Sequence, residues 1–251
     1  LTTDDTQMVA DWLSQHGLDV LPYHGRLDDG IRREREQRLL DNDVDALVAT
    51  NALGMGFNKP DLGFVIHFQR PPDLIRYYQE IGRAGRDLDE AFAILLAGEE
   101  DDDIAEFFIE SAFPAPEDFE SVLSILEDSS EPVSKQSVLN RTDIDWGPVD
   151  TSLDILSVEG AINRVDGGYV RTERSWTYDY DRVEKVTDRR WAELDRIKEF
   201  VTTDKCLTLF IDSELDGNLD EPCGQCANCA GNFLPTAVQD DSLIEQAAEQ
   251  F

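Results

Sequence analysis

The chain has 251 residues, 41% of them hydrophobic, which is enough for packed cores in two modest domains or in one domain with appendages. No apolar run approaches the roughly 18 residues of a membrane helix, so a spanning helix is excluded and a cytoplasmic protein with no membrane partner is expected. Its 54 acidic and 22 basic residues give a net charge of −32, which in dilute buffer argues against a nucleic-acid partner because phosphate would be repelled. The acids are spread along the chain, however, and arginine outnumbers lysine 17 to 5. Such a surface suits molar salt, where screening lengths fall to about 3 Å, and on this halophilic reading acidity says little about partners. The chain begins at Leu1, without a methionine or a charged-then-apolar leader, and is read as part of a longer product.

Thr3 to His16 carries Met8, Val9, Trp12 and Leu13 at helical period, Gly17 stops it, and Leu18 to Tyr23 reads as a strand. Tyr23-His24-Gly25-Arg26 closes that strand, and Asp28 can cap a helix whose polar face holds Arg32, Arg33, Arg35 and Arg38. Asp45 to Thr50 is a short continuous apolar strand of the kind a buried parallel sheet uses. It runs into Thr50-Asn51 and a loop in which Gly54 and Gly56 permit close backbone approach to a ligand. Gly63 to Phe68 is the next strand and Pro71-Pro72 breaks the chain. An amphipathic helix from Asp73 follows, bearing Leu74, Tyr77, Tyr78 and Ile81. Arg83 and Arg86 then lie about one turn apart near the helix end, flanked by Gly82 and Gly85. Two permanently charged, planar guanidiniums in that setting suit a polyphosphate; the plainer reading is a solvated basic helix end. Ala91 to Leu96 returns as a strand, so strands alternate with helices, as in an α/β parallel sheet.

From Glu99 the acids thicken, and Ile104 to Ala112 and Asp118 to Leu126 read as helices around Pro114 and Pro116. Val133 to Leu139, a turn at Asp145-Trp146-Gly147, a helix at Val149 to Val158 and a hairpin at Ala161 to Thr172 give the order of a winged helix. The expected recognition helix, Pro148 to Gly160, contains Asp150, Asp154 and Glu159 and no Lys or Arg, a poor reader of a DNA groove. The hairpin carries Arg164, Arg171 and Arg174 around Tyr169, so any DNA contact here falls to the wing, with a purely structural role as the equal alternative.

Asp181 to Val201 is a long amphipathic helix, and all four cysteines follow it as Cys206-x16-Cys223-x2-Cys226-x2-Cys229, with Cys206 expected on a helix. Disulfides compete with metal, but short C-x-x-C steps with no cysteine left over favour tetrahedral Zn²⁺ on thiolates. Gly231 to Asp241 reads as a linker and Ser242 to Phe251 as a helix start cut short.

The run QEIGRAGRD at Gln79 to Asp87 resembles the sixth motif of superfamily 2 helicases, and its leading Gln79 resembles the RecQ family. ATNALGMGFNKPDLGFVIHF is similar to that family's fifth motif, with Asn51 where aspartate is common in wider relatives. YHGRL resembles the segment after the fourth. The cysteine spacing and its neighbours are similar to the RecQ zinc module. The resemblance implies a second RecA-like domain at 1–112, a winged-helix-like segment at 113–178, a long helix with a four-cysteine zinc module at 179–231, and a linker with a truncated helix at 232–251. It further implies that Arg83 and Arg86 reach ATP and Mg²⁺ held by an upstream RecA-like domain, with Arg86 as the arginine finger. Gly54, Gly56 and Gln79 then serve ATP binding and coupling. His24, Gly25, Arg26, Thr50 and Asn51 contact the DNA backbone at a single-strand/duplex junction, and Cys206, Cys223, Cys226 and Cys229 hold Zn²⁺. A winged helix placed before the zinc site departs from the typical RecQ order and resembles a RecQ-like subgroup with rearranged accessory parts.

The whole protein is then expected to be an ATP-dependent DNA helicase moving 3′ to 5′. This chain alone is expected to be inactive, since neither a G-x-x-x-x-G-K-[ST] loop nor a D-E-x-H motif occurs in it. Alternatives are a non-catalytic nucleic-acid-binding module and a zinc and winged-helix interaction scaffold. The conflict between net charge and a DNA partner generates a prediction. Crowded carboxylates repel one another in dilute buffer, so the thermal midpoint of this chain should rise as KCl goes from millimolar to molar. DNA affinity of the full-length protein should fall only shallowly with salt, or peak at elevated salt, in place of the usual steep counterion-release slope. Steep monotonic loss of binding, together with full stability at millimolar salt, would restore the acidity as evidence against DNA.

Overall fold

The computed structural model describes residues 2–53, 57–231 and 246–247. Gly54 and Gly56, the expected linker at 232–241 and, apart from Gln246 and Ala247, the helix expected at Ser242 to Phe251 lie outside the described residues. Two compact units divide the chain, one of residues 1–97 and 196–251 and one of residues 98–195.

The first unit opens with helix α1 (Thr3–Gln15), started by a capping box in which Thr2 Oγ1 accepts from the Asp5 amide (3.2 Å) and the Asp5 carboxylate from the Thr2 amide (2.7 Å). Val9 and Ala10 of α1 pack on Val20 of strand β1 (Val20–Tyr23) and Val48 of β2 (Ala46–Ala49). The two strands are parallel, with Val20 opposite Ala46 and Tyr23 opposite Ala49. Parallel pairing requires a crossover, and α2 (Asp29–Leu40) supplies it. Asp28 stands at the N-cap of α2, but its side chain makes no capping bond. A second parallel pair, β3 (Phe64–His67) with β4 (Phe92–Leu95), is joined through α3 (Leu74–Ile81). The Asp73 carboxylate caps α3 by accepting from the Arg76 amide at 2.8 Å. Parallel strands with helical crossovers are the α/β class expected from the alternation of elements. Buried Tyr77 of α3 lies 5.1 Å from the His67 ring and 5.4 Å from that of Phe200, near the end of helix α8 (Tyr180–Thr202). Phe200 in turn meets Phe210 of α9 (Leu207–Glu214) at 5.6 Å. These inclined ring contacts attach the carboxyl-terminal residues to α3.

The second unit comprises α4 (Glu100–Glu110), α5 (Pro116–Glu127), α6 (Lys135–Leu139), α7 (Trp146–Val158) and an antiparallel hairpin, β5 (Ile162–Val165) with β6 (Gly168–Arg171). Its core draws Phe119, Val122 and Leu126 from α5, Val138 from α6, Val149, Leu153 and Leu156 from α7, and Ile162 from β5, each almost fully excluded from solvent. Val133 adds a bridge to the hairpin, exchanging amide bonds with Tyr169 at 3.0 and 2.9 Å. Asp145-Trp146-Gly147 is not the turn read from sequence. Asp145 is the N-cap and α7 starts at Trp146, because Pro148 in the first helical turn removes only an N–H that had no partner anyway. Arg171 is taken up internally: it donates to Glu127 (2.9 Å) and to the carbonyls of Ala161 (2.6 Å), Thr172 (3.2 Å) and Arg174 (2.9 Å). Tyr169 is buried, which leaves Arg164 and Arg174 as the exposed cations of the hairpin region.

Gly168 has φ 149° and a Cβ there would lie 2.3 Å from the Val133 carbonyl oxygen, so the bridge to Val133 needs a residue without one. Gly168→Ala should therefore destabilise the chain in denaturant titrations by about 3 kcal/mol. At Gly167 the nearest atom to a built Cβ is 3.9 Å away, and Gly167→Ala should cost only the backbone term of about 1 kcal/mol. Equal costs at the two positions would contradict this account of the hairpin.

Candidate functional sites in the first unit

The carboxyl ends of β1 and β2 bring two predicted groups together. The Thr50 amide donates to the Tyr23 carbonyl at 3.0 Å, extending the parallel ladder by one bond, so His24-Gly25-Arg26 and Thr50-Asn51 leave the sheet side by side. That edge is where open α/β sheets hold ligands. Thr50 Oγ1 accepts from the Ala52 amide (3.2 Å) and the Thr50 carbonyl from Leu53 (3.3 Å), which curls the loop back under Gly25. His24 is buried and its Nδ1 has no hydrogen-bond partner among the described residues, whereas Arg26 and Asn51 are exposed. Behind them, burial and the Glu36 carboxylate push the Tyr23 hydroxyl up to about 12. The Arg35 guanidinium donates to the Pro22 carbonyl, so part of the basic face of α2 is used against β1.

Arg83 and Arg86 sit beyond α3, not within it: the helix ends at Ile81 with Gly82 as C-cap. Gly85 then adopts φ 72°, a conformation that costs a glycine little, and a Cβ there would stand 3.0 Å from that of Ala91. The loop is clamped against residues 57–62, since the Gly85 amide donates to the Leu62 carbonyl (3.0 Å) and the Asp87 amide to that of Pro60 (2.9 Å). Arg83 Nη1 donates to the Phe57 carbonyl at 3.3 Å. Arg86 donates through Nε to the Gly82 carbonyl (3.2 Å) and through Nη1 to Asn58 Oδ1 (2.6 Å). Every one of these acceptors is a neutral oxygen, and neither arginine forms an ion pair among the described residues. Neighbouring Arg76 differs, being bound to Glu80 (3.1 Å) together with His67 (2.7 Å). Burial would raise the Glu80 carboxyl, but those two partners outweigh it and hold it below the usual carboxylate range. Gln79 lies exposed on α3.

The four cysteines, more than a hundred residues further along, are brought together without a disulfide. Their Sγ atoms all lie within 4.8 Å of one another, and those of Cys206 and Cys226 are 3.9 Å apart. A tetrahedral Zn–thiolate centre with bonds of about 2.3 Å has sulfur–sulfur edges of about 3.8 Å, so the set fits a Zn²⁺ ion. Cys206 is not inside a helix as expected; it is the N-cap of α9, where its sulfur accepts from the Cys223 amide at 3.3 Å. Cys226 likewise caps the short helix α10 (Ala227–Ala230), and its amide donates to the Cys223 sulfur at 3.2 Å. Burial alone would raise the Cys223 thiol, but the Thr208 hydroxyl and the amides of Gln225 and Cys226 bring it down to about 6. Cys229 is pushed up to about 12: the Gly224 amide lowers it, and the neighbouring Cys226 sulfur, burial and the other two sulfurs outweigh that. The four thiols share a pool of protons that a metal would displace. Asn228 locks the knuckle by donating to the carbonyls of Thr203 (2.6 Å) and Lys205 (2.7 Å), a role no sequence signal announced.

A protein-family model described as the helicase conserved C-terminal domain matches residues 1–87. The ATP-dependent DNA helicase RecQ of Synechocystis sp. is 29% identical over 233 residues, which cover 88% of this chain and 46% of that protein. The ATP-dependent DNA helicase RecQ of Bacillus subtilis is 37% identical over 111 residues, covering 44% of this chain and 19% of its own length. Among solved structures, the Escherichia coli DEAD-box protein SrmB, solved bound to regulator of ribonuclease activity A, matches 38% of this chain and 57% of its own at 30% identity with a TM-score of 0.36. The chain thus spans less than half the length of the curated relatives it matches.

Proposed function

We propose, on the premise that this chain is the C-terminal half of a RecQ-like superfamily 2 helicase, that it supplies the arginine side of an ATP site and one wall of a DNA path. The full-length protein is then an ATP-dependent DNA helicase, with 3′-to-5′ movement following from the resemblance and a single-strand/duplex junction as substrate. One observation carries the reading: in a chain with 54 acidic residues, Arg83 and Arg86 are held, among the described residues, by neutral oxygens alone. A guanidinium already paired with a carboxylate has little left to give a phosphate, whereas these two keep their charge available. ATP with its Mg²⁺, held by an upstream RecA-like domain, supplies the bond whose hydrolysis drives strand movement. Arg83 would bind and orient the polyphosphate and Arg86 would stabilise charge developing on the transferred phosphoryl group, with Gln79, Gly54 and Gly56 relaying between ATP and DNA.

In the same reading His24, Gly25, Arg26, Thr50 and Asn51 grip the backbone phosphates of one DNA strand at the sheet edge, where such contacts position and do not specify sequence. Residues 1–112 correspond to the second RecA-like domain, 113–178 to a winged helix and 179–231 to the zinc module. Support for the winged helix comes from the order α5, the Val133 bridge, α6, α7 and the β5–β6 hairpin. With Lys135 bound to Asp150, α7 presents no cation of its own to a groove, so Arg164 and Arg174 are the DNA contacts proposed here. Cys206, Cys223, Cys226 and Cys229 would hold one structural Zn²⁺ and thereby join the α9 cap to the knuckle. Acid-rich composition and the 17 to 5 excess of arginine over lysine support a protein adapted to high salt.

Two measurements test this. In the full-length enzyme Arg86→Ala should lower kcat for ATP about 10³-fold while leaving ATP affinity nearly unchanged, the usual worth of an arginine finger; turnover near the wild-type level would overturn the assignment. Elemental analysis should find one zinc per chain, and Cys223→Ser or a strong chelator should remove it and loosen α9 and the knuckle. Metal-free protein with ordered cysteines would refute the zinc centre.

A further inference from the structure

Lys59 is only 4% exposed, although it lies in a polar loop. A buried ammonium persists only where its donors are satisfied and its charge is matched. Here Nζ donates to Asn42 Oδ1 (2.7 Å) and Asp61 Oδ1 (2.8 Å), and Asn42 Nδ2 donates to Asp61 Oδ2 (3.0 Å), which closes a triangle of three side chains. Asn42 is fixed from the other side: it follows α2 at φ 61°, with its amide on the Leu39 carbonyl at 3.2 Å. The Lys59 ammonium, and after it the Asn42 amide, hold the Asp61 carboxyl down to about 2. The tie is thus complete above about pH 4, the ordinary carboxylate range, and is lost only as pH falls toward 2.

The triangle anchors the segment that orients both arginines. The Lys59 carbonyl accepts from the Leu62 amide at 3.2 Å, turning the chain around Pro60-Asp61. From that turn and the two residues before it come four acceptors that hold the arginine loop from outside: the carbonyls of Pro60 and Leu62 for its backbone, that of Phe57 for Arg83, and Asn58 Oδ1 for Arg86. The triangle itself includes no group of the arginine loop.

We infer that Lys59, through Asn42 and Asp61, is a positioning residue for Arg83 and Arg86: it pins the segment at 57–62 to the end of α2 so that both guanidiniums are presented in one geometry. This rests on the proposed role of those arginines toward a polyphosphate. Displacing a catalytic group by about 1 Å can cost about 100-fold in rate. In the full-length protein, Lys59→Met, which keeps the length of the side chain and removes the ammonium, should lower kcat for ATP roughly ten- to a hundredfold with little change in KM. Lys59→Arg should recover part of it.

Hydrogen–deuterium exchange of the same full-length variants separates positioning from general damage. Peptides covering the Gly85 and Asp87 amides should exchange at least about tenfold faster in Lys59→Met, while those from α1 and α7 keep their wild-type rates. If Lys59→Met loosens α1 as well, Asp61→Asn takes its place, since it retains the shape of the triangle and removes the matching charge; a smaller effect of the same pattern is expected. Unchanged exchange at Gly85 and Asp87 in both variants would overturn the inference. So would a loosened loop with wild-type kcat in a background where Arg86→Ala is crippled. A loosened loop where neither Lys59→Met nor Arg86→Ala lowers kcat would instead defeat the arginine reading and leave the anchoring in place.

Discussion

A guanidinium surrounded by carboxylates is readily drawn into ion pairs, and in a chain with a net charge of −32 several arginines meet that fate. Arg32, Arg38, Arg76, Arg171, Arg182, Arg189 and Arg196 all follow it. Arg83 and Arg86 escape because the loop carrying them is fastened by backbone bonds to a segment that offers them carbonyl and amide oxygens. Neutral acceptors fix direction while leaving the charge uncompensated, which is what recognition of a phosphate requires. Two acids close to the loop or its anchoring segment are matched, Asp61 to Lys59 and Glu80 to His67 and Arg76.

Much of this fold was legible because apolar period and helix punctuation agree along the chain. The 3.6-residue repeat of α1, its stop at Gly17 and the continuous apolar runs of β2 and β4 all yield the elements they announce. Errors came where local signals carry two meanings. Asp-Trp-Gly-Pro reads as a turn by composition, yet the same residues suit an N-cap and first helical turn. Arg83 and Arg86 read as lying near a helix end, and the C-cap at Gly82 places both on an irregular loop whose direction depends on distant partners. Cysteine spacing pointed to a cluster, but only the fold shows that Cys206 enters it from a helix cap. Arg171, one of three hairpin arginines open to either a DNA or a structural role, donates to three carbonyls and Glu127. The Lys59 triangle left no trace at all, since its Lys59–Asn42 bond joins residues 17 positions apart whose types are common in any polar loop.

The two units reach order by different means. The second has a core of aliphatic side chains from three helices and a hairpin, closed by Phe119 against Trp176 at 5.0 Å. In the first, small strand pairs are supplemented by polar devices: the Tyr23–Glu36 bond, the Lys59 triangle, the Arg196–Glu214 pair and the thiol cluster. Hydrophobic burial responds weakly to ionic strength, whereas charged and thiolate devices respond to salt, protons and metal. Ion pairs occur in both units, so salt and protons act on each, whereas among the described residues the thiol cluster, and with it any response to metal, belongs to the first.

Asn42 shows what such devices imply for anyone redesigning the protein. Just past a helix at φ 61°, it occupies the position where glycine is the common residue, and a redesign guided by backbone strain alone would place glycine there. The amide that glycine lacks is one of the two acceptors of a buried ammonium. Relieving strain at this one site would leave that ammonium short of an acceptor, and a left-handed asparagine after a helix is here better treated as a tether than as an imperfection.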